Sequence, residues 1–413
     1  MAPALSNWVA LALLMAAAAA ILDAPGLLLV ATVTLAYGSI TRLWTRFGIQ
    51  RISYHRQLGA DRAVAGDSVP LDVTIWNRKP LPLPWVGAED LVSEGLTIRE
   101  RPLLERAEER MGREVLDNAW ALAWYERVIR HFHLDDLRRG VYEFGPVRLR
   151  VRDILGRDAV DETIERPATL VVGPRTVPVH LPDRQIAPLG DRRARRSLFA
   201  DPALYGGVRP FQPGDSLRRV HWRATARLGT PVSRRYEPAR GREVVMAVDV
   251  QTLEEAQYWD EEAFEELCIV AASLGRRLLD DGATVGLAAA SYTGTTQRYA
   301  WLAPQAGLGH VSRIEGLLAR IGPLSSGPFG SLLTWMTRRV PPGATVTVLS
   351  ARDPRSLLGV LRRLQRSGYA VQLVSGGPDG HRHVVAARRA GLDALSAQVT
   401  PNARAAEALL LAG

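Results

Sequence analysis

Val244-Val-Met-Ala-Val-Asp-Val250 is the stretch on which the fold turns. It is apolar at every position but Asp249, rich in valine, and too short for a helix of ordinary length. Such a run reads as a strand buried on both faces, as in a parallel sheet covered by helices. Downstream, Phe264, Leu267, Cys268, Ala271, Leu274 and Leu278 recur at helical spacing. Strands are expected at 284–290, 344–349 and 369–374, an edge strand at 298–302, and helices near 307–320, 329–339 and 354–365. Strands alternating with helices predict a doubly wound, parallel α/β domain over 244–413. Ligands of such sheets meet the carboxyl ends of the strands, which here carry Asp249 and Ser350.

Immediately upstream, residues 181–243 hold 14 Arg against 6 Asp and Glu, a local net of +8 in a chain whose whole formal charge is +9. The basicity is therefore a patch. Within it runs Tyr205-Gly-Gly-Val-Arg-Pro-Phe-Gln-Pro-Gly-Asp-Ser-Leu-Arg-Arg-Val-His-Trp-Arg-Ala-Thr-Ala-Arg-Leu-Gly229. Pro213 and Gly214 form a tight-turn pair. Asp215 is placed to cap a helix that starts at Ser216, runs to Leu228 and is stopped by Gly229. Leu217, Val220, Ala224 and Leu228 then form a buried stripe, which His221 joins. Arg219, Arg223 and Arg227 form a second stripe, and Trp222 lies four residues after Arg218, in reach for cation–π stacking. Arg209 precedes them on the same segment. Like charges at that spacing repel, so the stripe calls for an acidic counterpart. Anionic lipid heads and nucleic-acid phosphates are the other anions it suits. The reading adopted is that the stripe packs against or docks an acidic surface, of another domain or of a protein partner, and no nucleic acid is expected. Asp215 and His221 are six apart on such a helix and face different sides, so they read as helix cap and core histidine, not as an acid–base pair.

Residues 47–180 change period. Val69, Leu71, Val73 and Ile75 alternate with Pro70, Asp72, Thr74 and Trp76, a half-buried strand preceded by the turn Ala65-Gly66-Asp67. Three prolines make 77–84 a loop. Alternation resumes over 122–134, and short strands follow at 147–151 and 170–172. This predicts a small antiparallel sandwich-like module. The mixed-charge stretch 99–113 reads as a solvated insertion or short helix. His131 and His133 share a strand face and open a zinc set that His55 or His180 would have to complete. No third ligand is evident locally, and the pair reads as an exposed polar face.

Before Gly48 the pattern changes again. Residues 8–22 and 26–43 are apolar runs separated by Asp23-Ala-Pro-Gly26. A spanning helix takes about 20 apolar residues, which the first run reaches with residues 2–5 and the second if Arg42 snorkels. A transmembrane hairpin over 1–46 is the expectation, with helices at 4–22 and 26–44. Arg42, Arg46, Arg51 and Arg56 follow the second run, which places both termini and the soluble domains in the cytoplasm at the cell membrane. A cleaved signal peptide is the competing reading, but Met1 to Asn7 holds no Lys or Arg.

The 413 residues, 47% hydrophobic and 23% charged, are enough for a multi-domain globular protein and exclude disorder as its main state. Lys79 is the one lysine among 52 basic residues, so high basicity by itself says little about nucleic acid. The one cysteine, Cys268, excludes an intramolecular disulfide and thiolate-rich zinc or iron–sulfur sites, and it sits on an apolar helix face. No Gly-x-Ser-x-Gly, His-Glu-x-x-His or Walker loop occurs, so no catalytic residue is nominated.

The stretch from Tyr205 to Gly229, continued by Ser233-Arg-Arg-Tyr-Glu-Pro238, resembles the signature of the domain of unknown function 58 family. Leu81-Pro-Leu-Pro-Trp-Val86 after Asn77, Arg139-Gly-Val-Tyr142 with Phe144-Gly-Pro146, and Asp153-Ile-Leu-Gly156 are similar to further landmarks of that family. The resemblance implies a bacterial or archaeal membrane protein with a C-terminal domain like von Willebrand factor type A, accompanied by a MoxR-type AAA+ ATPase. Type A domains often hold Mg²⁺ through Asp-x-Ser-x-Ser, a distant Thr and a distant Asp, hard oxygens that suit the ion. Here the motif reads Asp249-Val-Gln251-Thr-Leu253, without either serine. After the later strand, Ser350-Ala351-Arg352 puts Ala351 where the distant aspartate belongs and displaces Asp353 by two. The set Asp249, Gln251, Ser350 and Asp353 is degenerate, and no cofactor is expected. The chain therefore reads as a non-enzymatic, membrane-anchored adaptor that docks an AAA+ ATPase in protein assembly or quality control. The alternative is a Mg²⁺-dependent ligand-binding protein of the type A class.

Overall fold

The computed structural model describes the chain except residues 1–3, 101–112, 153–157, 181–199, 211–220, 239–242, 256, 294–296 and 413. Two compact units divide it, Met1–Val172 and Gly173–Gly413.

The first unit opens with helices α1 (Ala4–Ile21) and α2 (Pro25–Phe47), which pack on each other. Ala12, Ala19 and Ala31 are buried, small enough to let the backbones approach, whereas Leu14, Ile21, Leu29 and Val33 stay exposed. The expected transmembrane hairpin is not supported: among the described residues no helix is long and apolar enough to cross a membrane. α1 has 18 residues, which at 1.5 Å rise gives about 27 Å against a hydrocarbon core of about 30 Å. α2 has 23 residues, but Arg42 and Arg46 fall in its last turns and shorten its uncharged part.

Ten strands follow: β1 (Ile52–Leu58), β2 (Arg62–Val64), β3 (Val69–Asn77), β4 (Leu83–Ser93), β5 (Thr97–Ile98), β6 (Arg113–Leu122), β7 (Arg127–Asp135), β8 (Gly140–Arg152), β9 (Asp158–Ile164) and β10 (Ala168–Gly173). They form a four-stranded sheet, β1-β3-β7-β5, and a second sheet, β2-β10-β8-β4-β6, with β9 on β8. The pairings β1–β3, β3–β7, β5–β7, β4–β6, β4–β8, β8–β9 and β8–β10 are antiparallel. In β3 the odd positions Val69, Leu71, Val73 and Ile75 are buried and face the second sheet's Leu83, Leu149 and Leu170 in one core. The alternation expected across 122–134 is broken by a turn. Tyr125 takes a φ of 56°, and it and Trp124 are exposed there. Of the stretch 99–113, Arg99 pairs with Asp135, and 101–112 lie outside the described residues.

One polar knot sits inside this module. Asp90 on β4 is fully buried, and Arg56 on β1 bonds both of its oxygens. Tyr54 Oη donates to Asp90 Oδ2 at 2.9 Å, and Gly145 supplies a backbone donor. Burial holds the Asp90 carboxyl above its usual range despite Arg56, and it holds the Tyr54 phenol well up too. Gly145 has a φ of +90°, and a Cβ there would lie 2.9 Å from the Arg166 carbonyl oxygen, so glycine is required. Nearby in sequence, Lys79 is buried and donates from Nζ to the carbonyls of Gly48 and Gln50, each at 2.7 Å. Burial lowers its pKa to about 8.

The second unit contains β11 (Val179–His180), β12 (Ala200–Pro210), α3 (Trp222–Leu228), β13 (Val232–Pro238), β14 (Glu243–Val248), α4 (Glu261–Asp280), β15 (Thr284–Ala289), β16 (Ala300–Gln305), α5 (Val311–Leu318), α6 (Phe329–Met336), β17 (Thr345–Ser350), α7 (Pro354–Arg366), β18 (Ala370–Ser375), α8 (Gly380–Arg389), β19 (Asp393–Thr400) and β20 (Ala408–Ala412). The large sheet runs β11-β20-β19-β18-β17-β14-β15-β16. β14 alternates across it: Val244, Met246 and Val248 join Phe264 and Leu267 of α4 in one core, and Val245 and Ala247 join Leu332 of α6 and Leu361 of α7 in the other. The sheet is mixed and not wholly parallel as expected, because β16 runs antiparallel to β15 and β20 to β19. Among the described residues neither connection holds a helix, and a strand reached by a direct return lies antiparallel to the one it left. Among the described residues β12 and β13 pair only with each other.

Candidate functional site

The carboxyl ends of β14 and β17 bring Asp249 and Ser350 together. The Asp249 backbone N–H donates to Leu349 O at 2.8 Å, which fixes it as an extension of the ladder. Its side chain is 1% exposed. Oδ2 accepts from Ser350 Oγ at 2.9 Å and from Arg352 Nε at 2.9 Å and Nη2 at 2.8 Å. Oδ1 accepts from the Gln251 backbone N–H at 3.3 Å. Burial pushes the Asp249 carboxyl up to about 6, and Arg352, Ser350 and Gln251 pull against that rise. The arrangement is a buried ion pair whose carboxylate lone pairs are filled from the chain itself.

The remaining candidates are turned elsewhere. Gln251 Nε2 donates to Glu254 O at 3.0 Å, so its side chain braces the loop after β14. Asp353 caps α7, accepting from Arg355 N at 2.8 Å. The four residues of the degenerate motif thus converge only as Asp249 with Ser350. A divalent ion wants several oxygens around an open centre, and here a guanidinium occupies the face of Asp249 that such an ion would take. The residues present do not fit the metal. Among the described residues no group of three or more His, Cys, Asp or Glu could hold one. His131 bonds Asp72 and His133 bonds Glu100, each through Nδ1 at 2.7 Å, so these imidazoles hold neighbouring carboxylates. Cys268 is fully buried on α4.

Sequence reasoning put Arg352 beside this edge but missed the loop above it. Thr252 Oγ1 accepts from Asp260 N at 2.7 Å and closes a compact loop, and Asp260 then caps α4 by accepting from Ala263 N at 3.1 Å. The Asp260-Glu-Glu sequence before an apolar helix is the signal that could have located this boundary.

The arginine-rich segment is organised by a shorter helix than expected. Pro213, Gly214, Asp215, Arg218 and Arg219 lie outside the described residues, as do Leu217 and Val220. α3 starts at Trp222, not at Ser216, and His221 is its N-cap: Nδ1 accepts from Ala224 N at 3.1 Å. His221 has φ −91° and ψ 79°, outside the helical region, and its N–H is taken by Val232 O at 2.9 Å. His221 is therefore half-buried and capping, not a core residue on the helix. Gly229 does stop the helix, at φ 67° with its N–H on Thr225 O. Arg223 and Arg227 are exposed, and Trp222 is 67% exposed. Arg209 sits on β12 opposite Ser233 of β13.

Comparisons with known proteins bear on this segment. Residues 207–352 match the family described as Protein of unknown function DUF58. The "Uncharacterized protein YeaD" of Bacillus subtilis (strain 168) is 26% identical over 241 residues, covering 56% of this chain and 54% of that protein. The chain thus spans about half the length of this curated relative. Among solved structures, the CARDB domain of a Pyrococcus furiosus protein, crystallised with di-metal ions, shares 11% identity over 29% of this chain and 91% of its own, with a TM-score of 0.20. The sporulation control protein Spo0M of Bacillus subtilis shares 12% over 30% of this chain and 50% of its own, at 0.18. Likenesses at these scores carry no argument about this chain.

Proposed function

We propose that this DUF58-family chain is a non-enzymatic adaptor that docks an acidic surface of a protein partner through its arginine-rich segment. The observation that carries this reading is α3, which is tied down at both ends by His221 and Gly229 and turns Trp222, Arg223 and Arg227 to solvent. An exposed aromatic followed by two exposed guanidinium groups on a braced helix is the composition of a binding hot spot. The resemblance suggests an AAA+ ATPase as partner and protein assembly or quality control as the process. The Mg²⁺-dependent alternative is disfavoured by Arg352, whose guanidinium already neutralises Asp249.

The test is recovery of the tagged chain from its native host with ATP-γ-S present, comparing wild type with the Arg219→Glu, Arg223→Glu, Arg227→Glu triple variant. An AAA+ ATPase enriched by wild type and lost from a variant of unchanged thermal unfolding is the expected result. Equal recovery by both, or no ATPase from folded wild type, overturns the docking.

A further inference from the structure

The pair Asp249–Arg352 reaches beyond the strand edge. Arg352 spends Nε and Nη2 on Asp249, and its third nitrogen, Nη1, faces Glu254 Oε2 at 4.0 Å. Glu254 is also met by Ser356 Oγ at 3.4 Å from the first turn of α7. The Arg352 side chain is 10% exposed and Glu254 53%, so the guanidinium bridges a buried charge to a surface one. Glu254 belongs to the loop that Thr252 and Asp260 pinch shut, and that loop holds Leu253, Tyr258 and Trp259 exposed to solvent. Its described residues are tied by the Thr252–Asp260 bond, the Gln251–Glu254 bond and this chain of charges.

We propose that Arg352 is the resident cation of this strand edge and a positioning residue for loop 251–260, holding the loop in its folded form without any divalent ion. A metal ion at such a site would do two things: neutralise a buried carboxylate and tie the loops after two strands together. Arg352 does both from within the chain. It cancels Asp249 and, through Glu254, connects the loop after β14 to the start of α7. A guanidinium fork carries its charge at every accessible pH, so the tie does not depend on ion supply or chelation. The inference is independent of the adaptor reading, since no partner enters it.

The test is amide hydrogen exchange across residues 251–260 of the full chain, in EDTA and in millimolar Mg²⁺. In wild type the loop is expected to exchange at the same rate in both. In Arg352→Ser it is expected to exchange about tenfold faster in EDTA, a loss of roughly 1.4 kcal/mol of local protection, and Mg²⁺ is expected to restore part of it by entering the vacated face of Asp249. If Arg352→Ser also exposes β14, the Arg352→Lys variant decides: it keeps the charge, loses the fork, and should loosen the loop while β14 keeps its protection. Slowing of the wild-type loop by Mg²⁺, abolished in Asp249→Asn, overturns the proposal. So does a loop whose exchange is unchanged in Arg352→Ser.

Discussion

Arg56→Met removes the counterion of a carboxylate that has no route to water. Asp90 is fully buried and Arg56 is 2% exposed, so the variant leaves Asp90 with only Tyr54 Oη and the Gly145 N–H as partners. Two opposite charges about 4 Å apart at an effective dielectric of ~20 attract by about 4 kcal/mol, and breaking a buried pair from one side costs about 3–5 kcal/mol. A loss near 4 kcal/mol is therefore expected at pH 8. The loss should depend on pH. Asp90 already titrates above its ordinary value because burial outweighs Arg56, and without Arg56 it climbs further. A carboxyl raised on folding binds more protons folded than unfolded. Its contribution is full below the unfolded pKa and is lost as pH rises through the folded one. The deficit of Arg56→Met should thus narrow toward pH 5, by about 1.4 kcal/mol for each pKa unit gained. Hydrogen exchange of β4 and β8 amides is the assay, since the chain has two units and a single melting curve would mix them. The double variant Arg56→Met, Asp90→Leu should recover much of the loss, as apolar replacements of buried pairs do. A deficit under about 1 kcal/mol, or one that is flat between pH 5 and 8, would refute the reasoning.

Further outcomes follow from other sites. Lys79 titrates near 8 when folded and at 10.5 otherwise, so the unfolded chain holds the extra proton between those values. The first unit should gain stability as pH rises through that window, by up to about 3 kcal/mol and less where water reaches the ammonium, and a Lys79→Met variant should show no such climb. Gly145→Ala should cost about 1–3 kcal/mol in the same exchange assay, from the positive φ and the close Arg166 carbonyl. His221→Ala should lose about 1 kcal/mol of local protection in α3, with β14 unchanged. Cys268, fully buried, should resist alkylation until the second unit unfolds, and rapid labelling of native protein would place it elsewhere.

What the sequence revealed, it revealed through period. Alternation in 69–76 and the unbroken apolar run at 244–248 are direct signatures of one-faced and two-faced burial, and β3 and β14 lie there. Direction was less visible. Nothing in the composition of 300–305 or 408–412 says whether the chain returns directly or through a helix, so the reversed direction of β16 and β20 could not be read. Asp215 and Ser216, the expected cap and start, lie outside the described residues, and a bond between residues eleven apart, from His221 N–H to Val232 O, fixes the described start of α3 at Trp222. At the candidate site Asp249, Ser350 and Arg352 were each visible as strand-end residues. That Arg352 folds back onto Asp249 and not outward is a matter of rotamer and packing, which spacing does not encode. For the apolar runs of 8–43, length and the snorkelling of Arg42 argue for a span from the sequence, but α1 closes at Ile21 and α2 carries Arg42 and Arg46 in its last turns, and among the described residues no helix is long and apolar enough to cross a membrane.

The sheet of the second unit also has a consequence in time. β11 lies at one edge, and its partner there is β20, pairing Val179 with Leu409 and His180 with Leu410, some 230 residues later in the chain. During synthesis at about 5–20 residues per second, β11 waits roughly 10–50 s for that partner to be made. The segment that follows β11 is the arginine-rich one, so through that interval a strongly cationic stretch is held at one end by a strand without its ladder. Late closure of a long-range pair slows folding and prolongs the exposure of unpaired edges. The edge pair β11–β20 is thus among the last contacts of this sheet that synthesis allows to form.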